Sequence, residues 1–213
     1  KEIPERFFME GVAEQFIIGM SAGLAKEGFI PYVNTIATFL TRRCYEQVAI
    51  DLCLHDLPVR LIGNGGGLVY APLGLTHLAL EDLSLMKSLP NMTIISPCDS
   101  LEMRSLMHQT LNYMHPIYIR LGRGGEKIIT NNGVKTEIGR GVLFKTPKDV
   151  LIISTGTMTQ KALEVSEKTV SKNIHCGVLH LHTIKPIDVE AIIKYSKNIK
   201  LIVTIEEHFR SGG

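Results

Sequence analysis

Hydrophobic positions in the first part of the chain switch from a helical to an extended spacing. Apolar residues recur every three or four positions before Gly28, which predicts an amphipathic helix that ends there. The apolar stripe of this predicted helix consists of Val12, Phe16, Ile17, Met20 and Leu24. The β-branched segment at residues 32–36 then predicts a strand. The chain is therefore expected to open with a helix followed by a strand.

The same alternation continues through residue 121. It predicts, in order, a helix at 40–54, a strand at 59–62, a helix at 78–89, a strand at 93–96, a helix at 100–114 and a strand at 117–121. Strands that alternate with helices in this way favour an α/β fold with a doubly wound parallel sheet and helices on both faces.

A change in composition separates a second unit from the first. Residues 131–149 are polar and contain a turn signal at Asn132-Gly133, which predicts a linker with a hairpin. Beyond it, the pattern predicts strands at 150–155, 176–181 and 201–205 and helices at 158–171 and 189–195. Three strands are few for an independent sheet. We therefore expect two α/β domains, 1–130 and 150–213, of which the second is incomplete.

Composition narrows the class of protein without identifying it. Hydrophobic residues make up 45% and charged residues 21% of the 213 residues, as in ordinary soluble globular proteins. The formal net charge of +2 gives no reason to expect nucleic acid or an anionic membrane as a partner. No apolar run approaches the length of a membrane span, and the N-terminus lacks the pattern of a signal peptide. The first residue is Lys1, which is compatible with the chain being part of a longer product.

The four cysteines are Cys44, Cys53, Cys98 and Cys176, and they form no C-x-x-C pair. This wide spacing favours a reduced, cytoplasmic setting. Among the candidate site residues, we expect no metal ligand within this chain.

One carboxylate in the first predicted helix, Glu14, lies among apolar neighbours. Burial disfavours the charged form of a carboxyl, so a group in such surroundings can hold or pass a proton near neutral pH. The alternative is that Glu14 lies on the solvated face of an ordinary amphipathic helix. The pattern of residues alone leaves both interpretations open.

Short motifs over nearly the whole chain resemble those of the transketolase family. In the N-terminal part they are Gly-Val-Ala-Glu-Gln at 11–15, the segment 23–31, Thr-Phe-Leu at 38–40, Gly-Leu-Thr-His at 74–77, Leu-Pro-Asn-Met at 89–92, Ser-Pro-Cys-Asp at 96–99 and Arg-Leu-Gly-Arg-Gly at 120–124. The later segments 152–156, 183–188 and 206–208 resemble the family's C-terminal domain. Each motif is weak alone, but their order and spacing agree with the family. The closest resemblance is to 1-deoxyxylulose-phosphate synthase and to the C-terminal subunits of split transketolases.

The resemblance implies a pyrimidine-binding domain for thiamine diphosphate, followed by the start of the C-terminal domain. In the family, the glutamate of the Glu-Gln motif hydrogen-bonds the cofactor's aminopyrimidine and assists its activation, which maps onto Glu14. An aromatic residue stacks on the same ring, and Phe39 occupies that position. The alternative for Phe39 is a place in the hydrophobic core.

Three further residues correspond to substrate contacts in the family. His77 matches a histidine that contacts the donor substrate and the reacting oxygens, and Arg123 matches an arginine that binds the substrate phosphate. Arg42 corresponds to an arginine that faces the substrate in the synthase branch. A structural role for His77 and a solvated position for Arg42 stay open as alternatives.

The sequence departs from the family at polar substrate contacts. Leu73 stands where the family carries an acidic residue, and Gly65 and Gly66 stand where it carries a histidine or an arginine. A pocket without these groups should not select for the hydroxyls of the usual sugar phosphates, since such selection needs buried polar partners. The run Gly63–Gly67 lacks the residues of a phosphate-binding loop, and we expect a mobile loop beside the cofactor.

The family's Gly-Asp-Gly…Asn motif for the diphosphate and Mg²⁺ does not occur in this sequence. The resemblance therefore implies an N-terminal partner subunit that carries this motif, together with self-dimerisation of this chain. The leading hypothesis is the C-terminal subunit of a transketolase-like enzyme that moves a two-carbon ketol or acyl unit between small sugar phosphates. The rivals are the beta subunit of a 2-oxo acid dehydrogenase and a non-catalytic assembly subunit of the same fold.

Overall fold

A five-stranded sheet organises the N-terminal part of the molecule. The structure is a computed structural model that describes residues 3–131 and 134–213. The strands of this sheet are β1 (Tyr32–Ile36), β2 (Arg60–Asn64), β3 (Thr93–Ile95), β4 (Ile117–Arg120) and β8 (Thr183–Lys185). Their order is β1-β2-β4-β3-β8, in which the first four are parallel to their neighbours and β8 runs antiparallel to β3. The predicted α/β class is confirmed.

Short helices accompany this sheet. They are α1 (Glu14–Lys26), α2 (Ala37–Thr41), α3 (Tyr45–Gln47), α4 (Asp82–Lys87) and α5 (Ser100–Thr110), with 3₁₀ turns at Pro4–Arg6 and Ala71–Leu73. Asp99 caps α5, because its side chain accepts hydrogen bonds from the backbone N–H groups of Leu101 and Glu102. The predicted helices at 78–89 and 100–114 exist, but both are shorter than the apolar pattern indicates.

The prediction of one continuous helix over 40–54 is wrong. The chain forms α2, turns, forms the single turn α3, and continues as a π-helical segment, Val48–Cys53. The buried side chains recur at four-residue steps: Leu40, Cys44, Val48 and Leu52. In a regular α-helix such steps would drift by about 40° each around the axis. The breaks and the wider π-helical turn keep these four side chains facing the same core.

The buried face of α1 also differs from the predicted apolar stripe. Val12, which precedes the helix, is 89% exposed and Phe16 is 60% exposed. The buried residues are instead Glu14, Ile18, Ser21, Ala22 and Ala25. Small side chains allow the helix to approach the π-helical segment closely, and this packing selects the face. Glu14 therefore lies on the buried face, and the solvated alternative does not hold.

A second sheet contains β5 (Val142–Lys145), β6 (Val150–Ser154), β7 (Cys176–His180) and β9 (Leu201–Ile205), in the order β5-β7-β6-β9. The strands β6, β7 and β9 are parallel, and β5 runs antiparallel to β7. The helices α6 (Met158–Thr169) and α7 (Val189–Ser196) belong to this unit.

The predicted hairpin within 131–149 is wrong for the part of that stretch that the structure describes. Its strand, β5, pairs with the distant strand β7 and gives the second sheet a fourth strand. The turn signal Asn132-Gly133 lies outside the described residues.

The two sheets are joined by backbone contacts. Strand β8 follows β7 in the chain but completes the first sheet beside β3. The backbone N–H of Ser96 donates to the carbonyl of His182 at 2.7 Å, and that of Gly156 donates to the carbonyl of Ser96 at 3.1 Å. The domain boundaries stay a prediction, because the segment after β7 contributes to both sheets. Among the helices of the described ranges, none is long and apolar enough to cross a membrane.

Candidate functional site

The carboxylate of Glu14 is buried and bonded to a cation. Glu14 begins α1 and is 7% exposed, and its Oε2 accepts a hydrogen bond from Nη1 of Arg43 at 2.8 Å. The side-chain amide of the adjacent Gln15 donates to the carbonyl of Arg43 at 3.1 Å. These two contacts fix the start of α1 to the turn after α2.

The same guanidinium covers an aromatic ring. The central carbon of Arg43 lies 4.0 Å from the centroid of the Phe39 ring, in cation–π geometry. Phe39 is partly exposed, so it is not enclosed in the core. Arg43 therefore links the two residues that the resemblance assigns to the aminopyrimidine. The sequence reasoning assigned Arg43 no role, and its contact with Phe39 depends on the turn that follows α2.

His77 contacts the ring of Phe39. Its ring is edge-on to Phe39, with the centroids 5.3 Å apart, and its Nδ1 lies 2.9 Å from the hydroxyl of Thr76. The hydroxyl of Thr38 donates to the carbonyl of Thr76 at 3.2 Å, which holds the loop with His77 against α2. The structure thus connects Glu14, Arg43, Phe39 and His77 through a series of direct contacts.

The guanidinium of Arg42 forms an ion pair and several hydrogen bonds with other residues of the chain. Its Nε lies 3.2 Å from Oε1 of Glu81, and its Nη2 donates to three carbonyls at 3.2 Å each. Those carbonyls belong to Leu75, Thr76 and Leu78. The guanidinium thereby clamps the loop that carries His77. Contact with a substrate stays a prediction for this residue.

Arg123 lies apart from these residues. Its side chain is exposed and has no hydrogen bond or ion pair within residues 3–131 and 134–213. The loop that carries it borders a cleft whose lining includes Arg120, Gly122 and Thr155. Nothing in this arrangement joins Arg123 to Glu14, so its phosphate-binding role also stays a prediction.

The glycine run is explained by close packing. A Cβ atom would lie 2.1 Å from the nearest atom at Gly65, 2.3 Å at Gly66 and 2.5 Å at Gly67. The blocking side chains are, in order, Tyr70, Arg120 and Glu207. Gly65 and Gly67 also have positive φ angles of +73° and +67°, which favour glycine. The space that a side chain at position 66 would need is therefore filled by an arginine from β4.

That arginine is part of a buried polar network. Nε of Arg120 lies 3.0 Å from Oδ2 of Asp82 as a charge pair, and Nη2 donates to the carbonyls of Ala79 and Glu207 at 2.7 and 2.8 Å. The Tyr118 hydroxyl donates to the same Asp82 oxygen at 2.7 Å. Burial raises the pKa of Asp82, and the Arg120 guanidinium opposes that rise. The network ties β4 to α4 and to the segment after β9.

Comparison with known proteins defines the class of this fold and site. The family profile described as "Transketolase, pyrimidine binding domain" matches residues 1–125, and "Transketolase, C-terminal domain" matches residues 139–213. The chain belongs to the transketolase family.

Several individual proteins of the family are similar to this chain over nearly its whole length. A transketolase family protein of Sinorhizobium fredii is 36% identical over 214 residues, which cover 99% of this chain and 61% of the relative. One of the subunits of the apulose-4-phosphate transketolase of Phocaeicola vulgatus is 36% identical, with coverage of 100% and 69%. A solved structure described as "Split gene transketolase, inactive beta4 tetramer" matches with a TM-score of 0.88 and 36% identity, covering 96% of this chain and 66% of that one. The chain thus spans 61% to 69% of the length of these relatives.

Proposed function

We propose that this chain supplies the pyrimidine-binding half of a thiamine-diphosphate-dependent, transketolase-like transferase. The reaction is transfer of a two-carbon ketol or acyl unit between small phosphorylated sugars. The observation that carries the proposal is the buried carboxylate of Glu14, which Arg43 connects to the Phe39 ring that contacts His77. A carboxylate and an aromatic face are the two groups that a flat, basic heterocycle needs.

The residues of this chain fit the cofactor's pyrimidine ring. Thiamine diphosphate, when bound, supplies the carbon nucleophile for carbon–carbon bond cleavage and formation. Glu14 holds a proton at its carboxyl oxygen for the ring nitrogen, and Phe39 offers its face to the ring. Arg43 takes both contacts in this structure, and its side chain is 41% exposed, so it is free to move toward solvent.

A partner chain completes the proposed enzyme. The sequence has no Gly-Asp-Gly…Asn motif, so the diphosphate and Mg²⁺ are assigned to an N-terminal partner subunit. A relative described as one subunit of a transketolase and a solved beta4 tetramer described as inactive support this division. We propose a dimer of this chain within a four-chain assembly, since closed two-fold symmetry is the commonest arrangement. A reducing, cytoplasmic location is supported by the four free, buried cysteines.

The usual sugar phosphates are not proposed as substrates. Leu73 is 56% exposed and offers no polar group where the family has an acidic residue. At Gly66 the side chain of Arg120 fills the space, and its guanidinium is already bonded to protein carbonyls. We propose that the substrate lacks the hydroxyl contacts of the standard sugars.

Reconstitution tests the proposed function. The purified chain alone should be inactive and should bind thiamine diphosphate and Mg²⁺ only weakly in calorimetry. Addition of the partner that carries the Gly-Asp-Gly…Asn motif should give roughly micromolar cofactor binding, which corresponds to a binding free energy of about 8 kcal/mol. The reconstituted complex should transfer a ketol unit from at least one of a panel of phosphorylated ketoses, and light scattering should show four chains. Micromolar cofactor binding by the lone chain would refute the split arrangement. Activity with 2-oxo acids alone would favour the dehydrogenase rival.

We expect Arg42→Lys to lower kcat/KM of the reconstituted enzyme roughly tenfold to a hundredfold, because misplaced catalytic groups cost rates of this order. Lysine keeps the charge but lacks the planar fork that bonds Glu81 and the loop carbonyls together. The matched control is Arg140→Lys, which changes an exposed arginine just before β5 and should leave the kinetics unchanged. Wild-type kinetics for Arg42→Lys would contradict a role in holding the His77 loop.

A further inference from the structure

A buried cluster of metal-binding side chains lies between the two sheets. Cys98 precedes α5, Glu102 lies in its first turn, and His180 and His182 come from β7 and the residues after it. Their exposed fractions are 0%, 1%, 0% and 0%. The mechanism proposed above uses none of them.

The donor atoms of three of these residues converge. The Cys98 sulfur, a Glu102 carboxylate oxygen and a His180 ring nitrogen all lie within 4.8 Å of one another. Oε2 of Glu102 accepts from the backbone N–H of Cys98 at 2.7 Å and lies 2.9 Å from Nε2 of His180. Ligands that bind one zinc ion tetrahedrally at roughly 2.0–2.3 Å lie within about 4 Å of one another, so these three donor atoms are near the spacing that a single ion requires.

Two polar atoms of the cluster have no hydrogen-bond partner among the described residues. They are Oε1 of Glu102 and Nε2 of His182. A buried polar atom without a partner costs free energy and requires an explanation such as an ion or a water. His182 lies in a bend two residues after His180, and the centroids of the two imidazole rings are 5.9 Å apart, so it borders the three converging residues. Glu102 and His182 each therefore keep one free donor atom for a ligand.

Threonine hydroxyls orient the imidazole rings of His180 and His182. Nδ1 of His180 lies 2.8 Å from the hydroxyl of Thr159, and Nδ1 of His182 lies 2.9 Å from the hydroxyl of Thr183. Both rings therefore leave Nε2 directed away from their hydroxyl partners. Metal-bound histidines show this pattern, in which the second ring nitrogen is held by an outer hydrogen bond. Burial, together with the charge of Glu102, raises the pKa of the Cys98 thiol, so a bound cation would have to displace its proton to solvent.

We propose that Cys98, Glu102, His180 and His182 bind a zinc ion that joins the two sheets. A sulfur, two imidazoles and one carboxylate are all donor types that zinc binds, and four of them are enough for tetrahedral coordination. All four residues are buried, so no position is left open for a substrate. The proposal departs from our expectation that this chain supplies no metal ligand. It is independent of the proposed transferase function.

Metal analysis of the full chain tests the site. After growth with zinc and dialysis, mass spectrometry should find about one zinc per chain, the stoichiometry of a single closed site. After removal of zinc by a chelator, Co²⁺ should give the visible bands of a tetrahedral site and a sulfur-to-cobalt charge-transfer band. Absence of bound zinc together with absence of the charge-transfer band would overturn the proposal and indicate a buried water at the cluster.

Two substitutions separate ligation from packing. Cys98→Ser should remove the charge-transfer band, whereas Cys176→Ser, at another buried cysteine, should keep it. Thr159→Val should weaken zinc binding roughly 10–100-fold, because the hydroxyl that hydrogen-bonds His180 is lost. Substitutions of residues that hydrogen-bond a metal ligand usually have effects of this size. Persistence of the band in Cys98→Ser would overturn the ligand assignment. If Cys98→Ser does not fold, the zinc content of the wild-type chain and the Thr159→Val affinity still decide the question.

Discussion

Glu14→Gln should reduce cofactor activation by about two to four orders of magnitude, the usual effect of losing a positioned acid–base group. Glutamine keeps the size and hydrogen-bonding capacity of the side chain but cannot hold and release a proton at the same atom. The fold should survive, because the lost ion pair involves Arg43, whose side chain is 41% exposed, and pairs with an exposed partner contribute little. The measurement is hydrogen–deuterium exchange at the reactive carbon of thiamine diphosphate in the reconstituted complex.

The matched control for this experiment is Glu10→Gln, which changes an exposed glutamate four residues earlier. It should leave the exchange rate at the wild-type value. If Glu14→Gln also exchanges as fast as the wild type while the wild type turns over, the carboxylate has only a structural role with Arg43. The assignment of the site would then lose its main support.

Arg120→Leu should lower the free energy of unfolding by about 3–5 kcal/mol, the usual loss when one partner of a buried charge pair is removed. Asp82 is fully buried, and its ion pair is with Arg120. Without the guanidinium, two backbone carbonyls also lose a donor. Urea unfolding followed by circular dichroism measures the change.

Two further variants identify the cause of that loss. The double variant Arg120→Leu with Asp82→Leu should recover part of the stability, since no buried charge is left without a partner. Lys161→Ala removes an exposed pair with Glu164 and should change the unfolding midpoint little. A loss below about 1 kcal/mol for Arg120→Leu would mean that the Asp82–Arg120 pair contributes no more than a surface pair.

The order and type of most elements could be predicted from the sequence. The strand at 32–36 has the bounds that the structure gives to β1, and the alternation of strands and helices led to the correct α/β class. These predictions succeeded because apolar periodicity reports local geometry, with a period of two in strands and 3.6 in helices. The motifs around Glu14, Phe39 and His77 also led to the correct family.

The contacts between residues of the site could not be predicted from the sequence. Glu14 and Arg43 are 29 positions apart, and Glu102 and His180 are 78 positions apart. Periodicity carries no information on which distant residues meet. The sequence therefore identified Glu14 as a candidate acid, but only the tertiary structure paired it with Arg43.

The sequence by itself determined the fold class and the family, and it named the candidate residues of the site. Tertiary packing decided which face of α1 is buried, and it decided that Val48–Cys53 is π-helical and that β8 completes the first sheet. It also decided that the glycines at 65–67 make room for Tyr70, Arg120 and Glu207. The physical reason is that steric fit and buried charge pairing depend on residues far apart in the chain, whereas a hydrophobic pattern describes only neighbours.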